Sequence, residues 1–362
     1  MPEEKAAMSN VIHANFLAQP RVCGAQDTFA ALLRSFADHR QPRDDVYWLK
    51  ENAELLGMLA STGGAIPAEA LSPYAAFYDR APAYLEFFPQ YYRFILSICL
   101  DLEDLGMGGG HGAALCAQAA RNRSPLAELS DLQRGEAQRL LSRRLDLDGD
   151  AALRQRLLEF AGARGGFAVP NRKAAYELTH IVFYLSDYGR RDPGLPPEAF
   201  ANLDDLGLLA LLDRDHDLLA EVCLALRHAG AVPDPFWEQE VDSAHGAMRC
   251  LPLHEPSGQD DYHPWLVTGW LLRQKGAPAF ARSFAGGPLT VRAPQEPPGI
   301  LRQISRCLYD QGNARGGDWH VMKRTLSPEL TREGQDLLQR AEGSSPRFAE
   351  FFARFARIPR AA

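Results

Sequence analysis

Apolar side chains recur at three- and four-residue spacing along almost all of this chain, and almost nowhere do they alternate. That period marks amphipathic helix, and its near-exclusive use leaves little but helix packed on helix. The segment 44–62 is typical, with Trp48, Leu49, Leu55, Leu56 and Leu59 on one side. Helices are expected over 26–40, 44–62, 81–105, 111–123, 125–144, 151–164, 171–188 and 196–203. The series continues over 213–228, 235–246, 264–275, 299–309, 328–341 and 346–358. Pro89 should break the longest of them, because it lacks an amide proton and crowds the preceding turn. The short run 289–292 is the one plausible strand.

The 25 prolines fit this picture if many of them open helices rather than interrupt them. A small polar or acidic residue precedes proline at Ser124-Pro125, Asp234-Pro235, Ser327-Pro328 and Ser345-Pro346. Such a side chain can accept from an orphan amide, while proline gives up a donor that had no partner. The expected fold is all-α: stacked antiparallel helical hairpins, either an open curved array or a closed α/α toroid. The simplest division is a flexible segment over 1–25 and a single helical domain over 26–362, closed by a docking helix at 346–358. That last helix places Phe348, Phe351, Phe352, Phe355 and Ile358 on one face.

Composition removes several function classes. With 46% apolar and 23% charged residues, the 362-residue chain can build a core and is not disordered. The longest apolar run, 206–212, falls far short of the roughly 18 residues a membrane span needs. The first residues are charged with no apolar core behind them, so a cytoplasmic location without a signal peptide is expected. A net charge of -7 argues against a nucleic-acid partner. Only five of the 39 basic residues are lysines, a bias that fits oxyanion clamps or a GC-rich genome. Six scattered cysteines with no C-x-x-C pair read as small core side chains.

The chemistry concentrates around His180. On a helical wheel Lys173, Glu177, His180, Tyr184 and Asp187 fall within about an 80° arc, with Leu178, Ile181, Val182 and Leu185 opposite. Gly189 is a natural left-handed terminator. An imidazole and two carboxylates on one stripe suit a metal site, or a histidine made more basic by a neighbouring acid. An ordinary solvent-facing stripe is the plain alternative.

The string from Glu177 to Gly189, ELTHIVFYLSDYG, resembles a THxxFYLTDFG block of all-helical bacterial proteins of unknown function. In those proteins a DLLAE helix and a YHxxLV block follow. The corresponding pieces are Asp217-Leu218-Leu219-Ala220-Glu221 and Tyr262-His263-Pro264-Trp265-Leu266-Val267, in the same order. Ser186 stands where the block has Thr, and Pro264 where a hydroxyl residue is commoner. The resemblance implies a shared helical fold of the α/α-toroid kind and picks out His180, Asp187, Glu221 and His263. It implies no activity.

Asp213, Asp217 and Glu221 are spaced four apart and share a face. The first two fit the ordinary preference for acids in a first helical turn; Glu221 lies deeper and is the better site candidate. His245, His254 and His263 fall within nineteen residues, beside Cys250, Glu255, Asp260 and Asp261. These are metal-ligand types, though the spacings match no recognised pattern. His263 precedes Pro264 at a helix start, where the dipole should favour the neutral, ligating imidazole. The run 146–150 (DLDGD) lacks the glycine position and bidentate glutamate of a calcium loop and reads as a helix cap. The run 106–112 has neither nucleotide fingerprint and reads as a connector. The segment 316–320 carries Trp319 and His320 on a turn that could close over a pocket.

These signals converge on a metal-dependent enzyme with its pocket inside the helical array. His180, His263 and Glu177 are the candidate ligands of a divalent transition metal such as zinc, iron or copper. Asp187, Glu221 and Tyr184 are the candidate catalytic residues, acting on a small molecule or peptide. The alternative is a helical adaptor for a protein partner, or a small-molecule binding protein, with the same side chains in a satisfied buried network.

Overall fold

The structure, a computed structural model, describes residues 25–43, 45–63, 66–252, 260–280 and 286–358. The segment 1–24, and with it the expectation of a flexible start, lies outside the described residues, as do His254 and Glu255. The described residues form sixteen α-helices and one two-stranded sheet, an all-α fold. The first six helices are α1 (Ala25–Ser35), α2 (Val46–Ser61), α3 (Ala75–Phe87), α4 (Tyr92–Asp104), α5 (His111–Arg121) and α6 (Asp131–Ser142). Then come α7 (Ala151–Ala161), α8 (Arg172–Leu185), α9 (Pro197–Asp213), α10 (His216–His228), α11 (Pro235–Ala247) and α12 (Tyr262–Gln274). The last four are α13 (Leu301–Asp310), α14 (Trp319–Leu326), α15 (Arg332–Ser344) and α16 (Phe348–Phe355). Strand β1 (Arg249–Pro252) pairs antiparallel with β2 (Leu289–Arg292), the segment expected to be extended.

Side-chain oxygens start many of these helices. Asp45, Asp150, Asn171, Asp215, Asp234, Asp318 and Thr331 each accept from a first-turn amide, and Ser130 with Gln133 forms a reciprocal capping box. Of the four Ser/Asp-Pro pairs, only Asp234-Pro235 caps an α-helix as expected. Ser124-Pro125 and Ser327-Pro328 open 3-10 turns, closed by Glu128 N–H to Pro125 O and Leu330 N–H to Ser327 O. In both, a better cap a few residues downstream, Ser130 or Thr331, takes over the α-helix start. Pro89 divides the segment 81–105: α3 stops at Phe87 and α4 begins at Tyr92 after a 3-10 turn.

The packing has a regular plan. Helix α2 packs on α4, α4 on α6, α6 on α8, α8 on α10 and α10 on α12, and α12 packs in turn on α2. The series therefore returns to its start. The intervening helices lie between these members: α5 contacts α4 and α6, α7 contacts α6 and α8, α9 contacts α8 and α10, and α11 contacts α10 and α12. Helix α10 is the most enclosed; from Asp217 to Leu226 every residue is buried. The C-terminal helices dock on this body through α9 and α11. Phe348, Phe351, Phe352 and Phe355 of α16 are buried, and Arg354 grips the buried Asp205 of α9 with a two-nitrogen fork. No helix among the described residues is long and apolar enough to cross a membrane.

Candidate functional site

A cavity of about 110 Å3 lies where the six even-numbered helices α2 to α12 face one another. A single buried water needs about 10–15 Å3 by such a measure, so the space suits a small molecule. Each of those helices contributes a polar side chain to the wall: Glu54, Asp101, Arg139, His180, Glu221 and His263. Ser97 and Arg190 also line it, and the rest of the surface is aromatic and apolar. The rings of Phe183, Tyr188 and Trp270 lie within 5.2–6.0 Å of one another, centroid to centroid.

Both histidines are held by their Nδ1 atoms. His180 Nδ1 lies 2.7 Å from the carbonyl of Tyr176, one turn back on α8. A carbonyl can only accept, so Nδ1 carries a proton, and the lone pair of such a ring, when neutral, lies on Nε2. The same Nδ1 is 3.5 Å from Glu221 Oε2, and Glu221 is held by the Thr179 hydroxyl. His263 Nδ1 donates to Asp217 Oδ1 at 3.1 Å, and the Tyr176 hydroxyl donates to the other oxygen of Asp217 at 2.6 Å. His263 Nε2 is 3.9 Å from Glu54, whose carboxylate also accepts from the Tyr262 hydroxyl and faces Lys50. Two acids one turn apart on α10 thus serve two imidazoles on the flanking helices α8 and α12.

The electrostatics separate the members of these pairs. Burial acts to lower the pKa of His263, but the hydrogen bond and charge of Asp217, with Glu54 and Glu221, raise it to about 9. Burial pushes Asp217 up, yet its bonds to His263 and Tyr176 hold it below the usual carboxylate range. Glu221 goes the other way: enclosure raises it, and neither His180 nor the Thr179 hydroxyl offsets that. At neutral pH His263 is therefore an imidazolium, which corrects the expectation of a ring kept neutral by the helix dipole. A first-turn dipole is a fraction of a charge, whereas Asp217 is a full charge in contact.

Of the six residues singled out from sequence, His180, Glu221 and His263 meet at this cavity. Glu177, Asp187 and Tyr184 do not line it. Asp187 is displaced because α8 ends at Leu185, and Asp187, Tyr188 and Gly189 all have positive φ, so the helical wheel no longer applies. Its carboxylate instead receives Arg139 at 3.2 Å and lies 3.6 Å from Arg190. Tyr184 lines a second cavity of about 500 Å3 on the other side of Arg139. Asp217, set down as a plain first-turn acid, is the partner of His263. Glu54 and Arg139 drew no attention in the sequence, each being one charge among several on an ordinary helix. Asp217 was findable: it shares the four-residue spacing that marks Glu221.

Other sequence signals resolve into architecture. Asp150 caps α7. The glycine-rich run 106–112 presents Gly112 N–H to Glu103, an acid where a phosphate would need to sit. Asp318 caps α14, whose Trp319 is buried with its indole on Glu342, leaving no lid there. His245 bonds Thr268 and stacks on Trp265 away from the cavity wall. Cys99, Cys116 and Cys223 are buried free thiols. Among the described residues, no three His, Cys, Asp or Glu side chains are grouped so as to hold a metal ion.

Comparison with known proteins adds one finding. A family model described as Domain of unknown function (DUF6902) matches residues 8–358. No curated protein and no solved structure matches the chain.

Proposed function

Since this chain belongs to the DUF6902 family, of unknown function, its activity has to be read from its own cavity, and we propose an enzyme performing general acid–base chemistry on a small molecule. In this reading the circuit of α2, α4, α6, α8, α10 and α12 is the inner ring of an α/α toroid, and the reaction takes place at its centre. The carrying observation is the pair of imidazoles on one cavity wall, each tethered through Nδ1 to an acceptor, one a backbone carbonyl and the other a carboxylate. His180, with its Nδ1 proton spent on a carbonyl, offers a basic Nε2. His263, kept charged by Asp217, offers an acidic Nε2–H. A base and an acid facing one small substrate suit removal of a proton at one position and its delivery at another, as in isomerisation or elimination. Asp217, Tyr176 and Thr179 position the two rings and touch no substrate.

The test is solvent-deuterium incorporation. Untagged protein in D2O would be incubated with a panel of small keto, hydroxy and unsaturated acids, and exchange followed by proton NMR. The reading expects exchange with at least one compound class, falling by about 10²–10⁴-fold in His180→Gln and His263→Gln. Absence of exchange across the panel, or exchange that survives both substitutions, overturns it.

A second reading is the metal-dependent one, with zinc, iron or copper on His180 and His263. The Nδ1 tethers favour it, because a carbonyl or carboxylate behind the ring is how metal-bound imidazoles are commonly oriented. The charge on His263 and the lack of a third grouped ligand among the described residues weigh against it. Near-stoichiometric metal in untagged protein, lost in the double His→Ala variant, would reverse that ranking.

A further inference from the structure

We infer that Arg139 and Trp270 form an oxyanion-recognition pair, so that the substrate of the proposed acid–base site carries a carboxylate or phosphate group. The inference rests on that reading for the word substrate; the binding site itself stands on separate observations. Arg139 is 5% exposed and Trp270 is 7% exposed, and both line the cavity. Arg139 Nε and Trp270 Nε1 are buried N–H donors with no hydrogen-bond partner. A buried orphan donor is destabilising and is normally filled by protein, water or ligand. Both side chains line the same cavity, where a bound ligand would supply the acceptor that the protein does not.

The charges sort the same way. Arg139 has one hydrogen bond to an acid, the 3.2 Å contact to Asp187, and Asp187 is shared with Arg190. Asp101, another acid of the cavity wall, is paired with Arg143 at 2.8 Å and with the Ser97 hydroxyl. The Arg139 guanidinium lies 4.7 Å from the Tyr188 ring and 5.8 Å from Tyr184, which fixes its plane without using its donors. A planar guanidinium whose Nε–H has no protein partner is suited to a carboxylate or phosphate, and a lysine cannot reproduce it. The rings of Phe183, Tyr188 and Trp270 supply an apolar wall for the body of the ligand.

The experiment is a titration of the full chain with inorganic phosphate and, separately, with acetate and succinate. It follows the Arg139 Nε–H and Trp270 Nε1–H resonances by NMR and affinity by calorimetry. A saturable shift of both resonances with at least one anion is expected, and the preferred anion names the source. Arg139→Lys and Trp270→Phe should each weaken binding about tenfold or more, with unchanged thermal melting showing that the fold persists. No saturable shift with any anion, or wild-type affinity in Arg139→Lys, overturns the inference. Anion binding without deuterium exchange would overturn the acid–base reading alone. Exchange whose KM is indifferent to Arg139→Lys would overturn the anion pair alone.

Discussion

Replacing Asp217 by Asn keeps the shape and the acceptor oxygen behind His263 but deletes the charge. In the native protein His263 titrates at about 9, so at pH 7.5 about 97% of the rings are protonated. Without the Asp217 charge the ring should fall toward 6.5, and about 9% would be protonated at that pH. The stability follows with a definite sign. A histidine raised above its unfolded value contributes fully below pH 6.5, and that contribution is lost as pH climbs through about 9. A rise from 6.5 to about 9 corresponds to roughly 3 kcal/mol. The His263 side chain is 31% exposed, and solvent screening brings this to about 1–2 kcal/mol. Urea unfolding at pH 6.0, 7.5 and 9.5, with imidazole resonances assigned through His263→Gln, measures both quantities. Asp217→Asn should be destabilised most at pH 6.0 and approach wild type at pH 9.5. A wild-type His263 that titrates near 6.5, or a stability difference that does not vary with pH, would refute the argument.

Other consequences are open to simpler measurements. His228 is buried among Phe183, Tyr188 and Trp270, and that burial lowers its pKa to about 4. Folding therefore loses up to roughly 3 kcal/mol as pH falls from about 6.5 to 4, and His228→Phe should flatten that limb of the acid unfolding curve. An unaltered limb would remove His228 as its cause. In α9, a methyl added at Gly207 would sit 2.2 Å from the buried Trp237 ring. Gly207→Ala should lower unfolding free energy by about 1–3 kcal/mol in urea; a wild-type midpoint would contradict the packing. Arg354→Gln leaves Asp205 enclosed without its fork, and a loss of about 2–4 kcal/mol is expected in thermal melting. If Arg354→Gln melts like wild type, the docking of α16 does not depend on that pair.

The fold class was legible because one period dominates the chain and many of its helices start on a capping side chain. The break at Pro89 and the strand at 289–292 were legible too, each from a local rule. What failed was local competition. Ser124-Pro125 looks like a helix start in isolation, and only the stronger capping box at Ser130 decides that the helix begins later. The site was half legible for a similar reason. His180 and Glu221 stand out by helical spacing, and His263 by its place at a helix start. Glu54 and Arg139 come from distant helices and acquire meaning only when α2 and α6 reach the same hollow. Asp187 was misplaced because a wheel assumes the helix continues, and three left-handed residues turn the chain away.

Helix α10 is walled in by α8, α9, α11 and α12, and it carries both Asp217 and Glu221. Anchoring points sunk this deep cannot be adjusted one at a time. Any rotation or slip of that helix would disturb the Asp217–His263 bond and the Glu221 contact with His180 together, and disrupt the interior besides. Changes to the cavity wall should therefore be tolerated better on other elements, such as at Arg190, whose side chain is 38% exposed, than at Asp217 or Glu221.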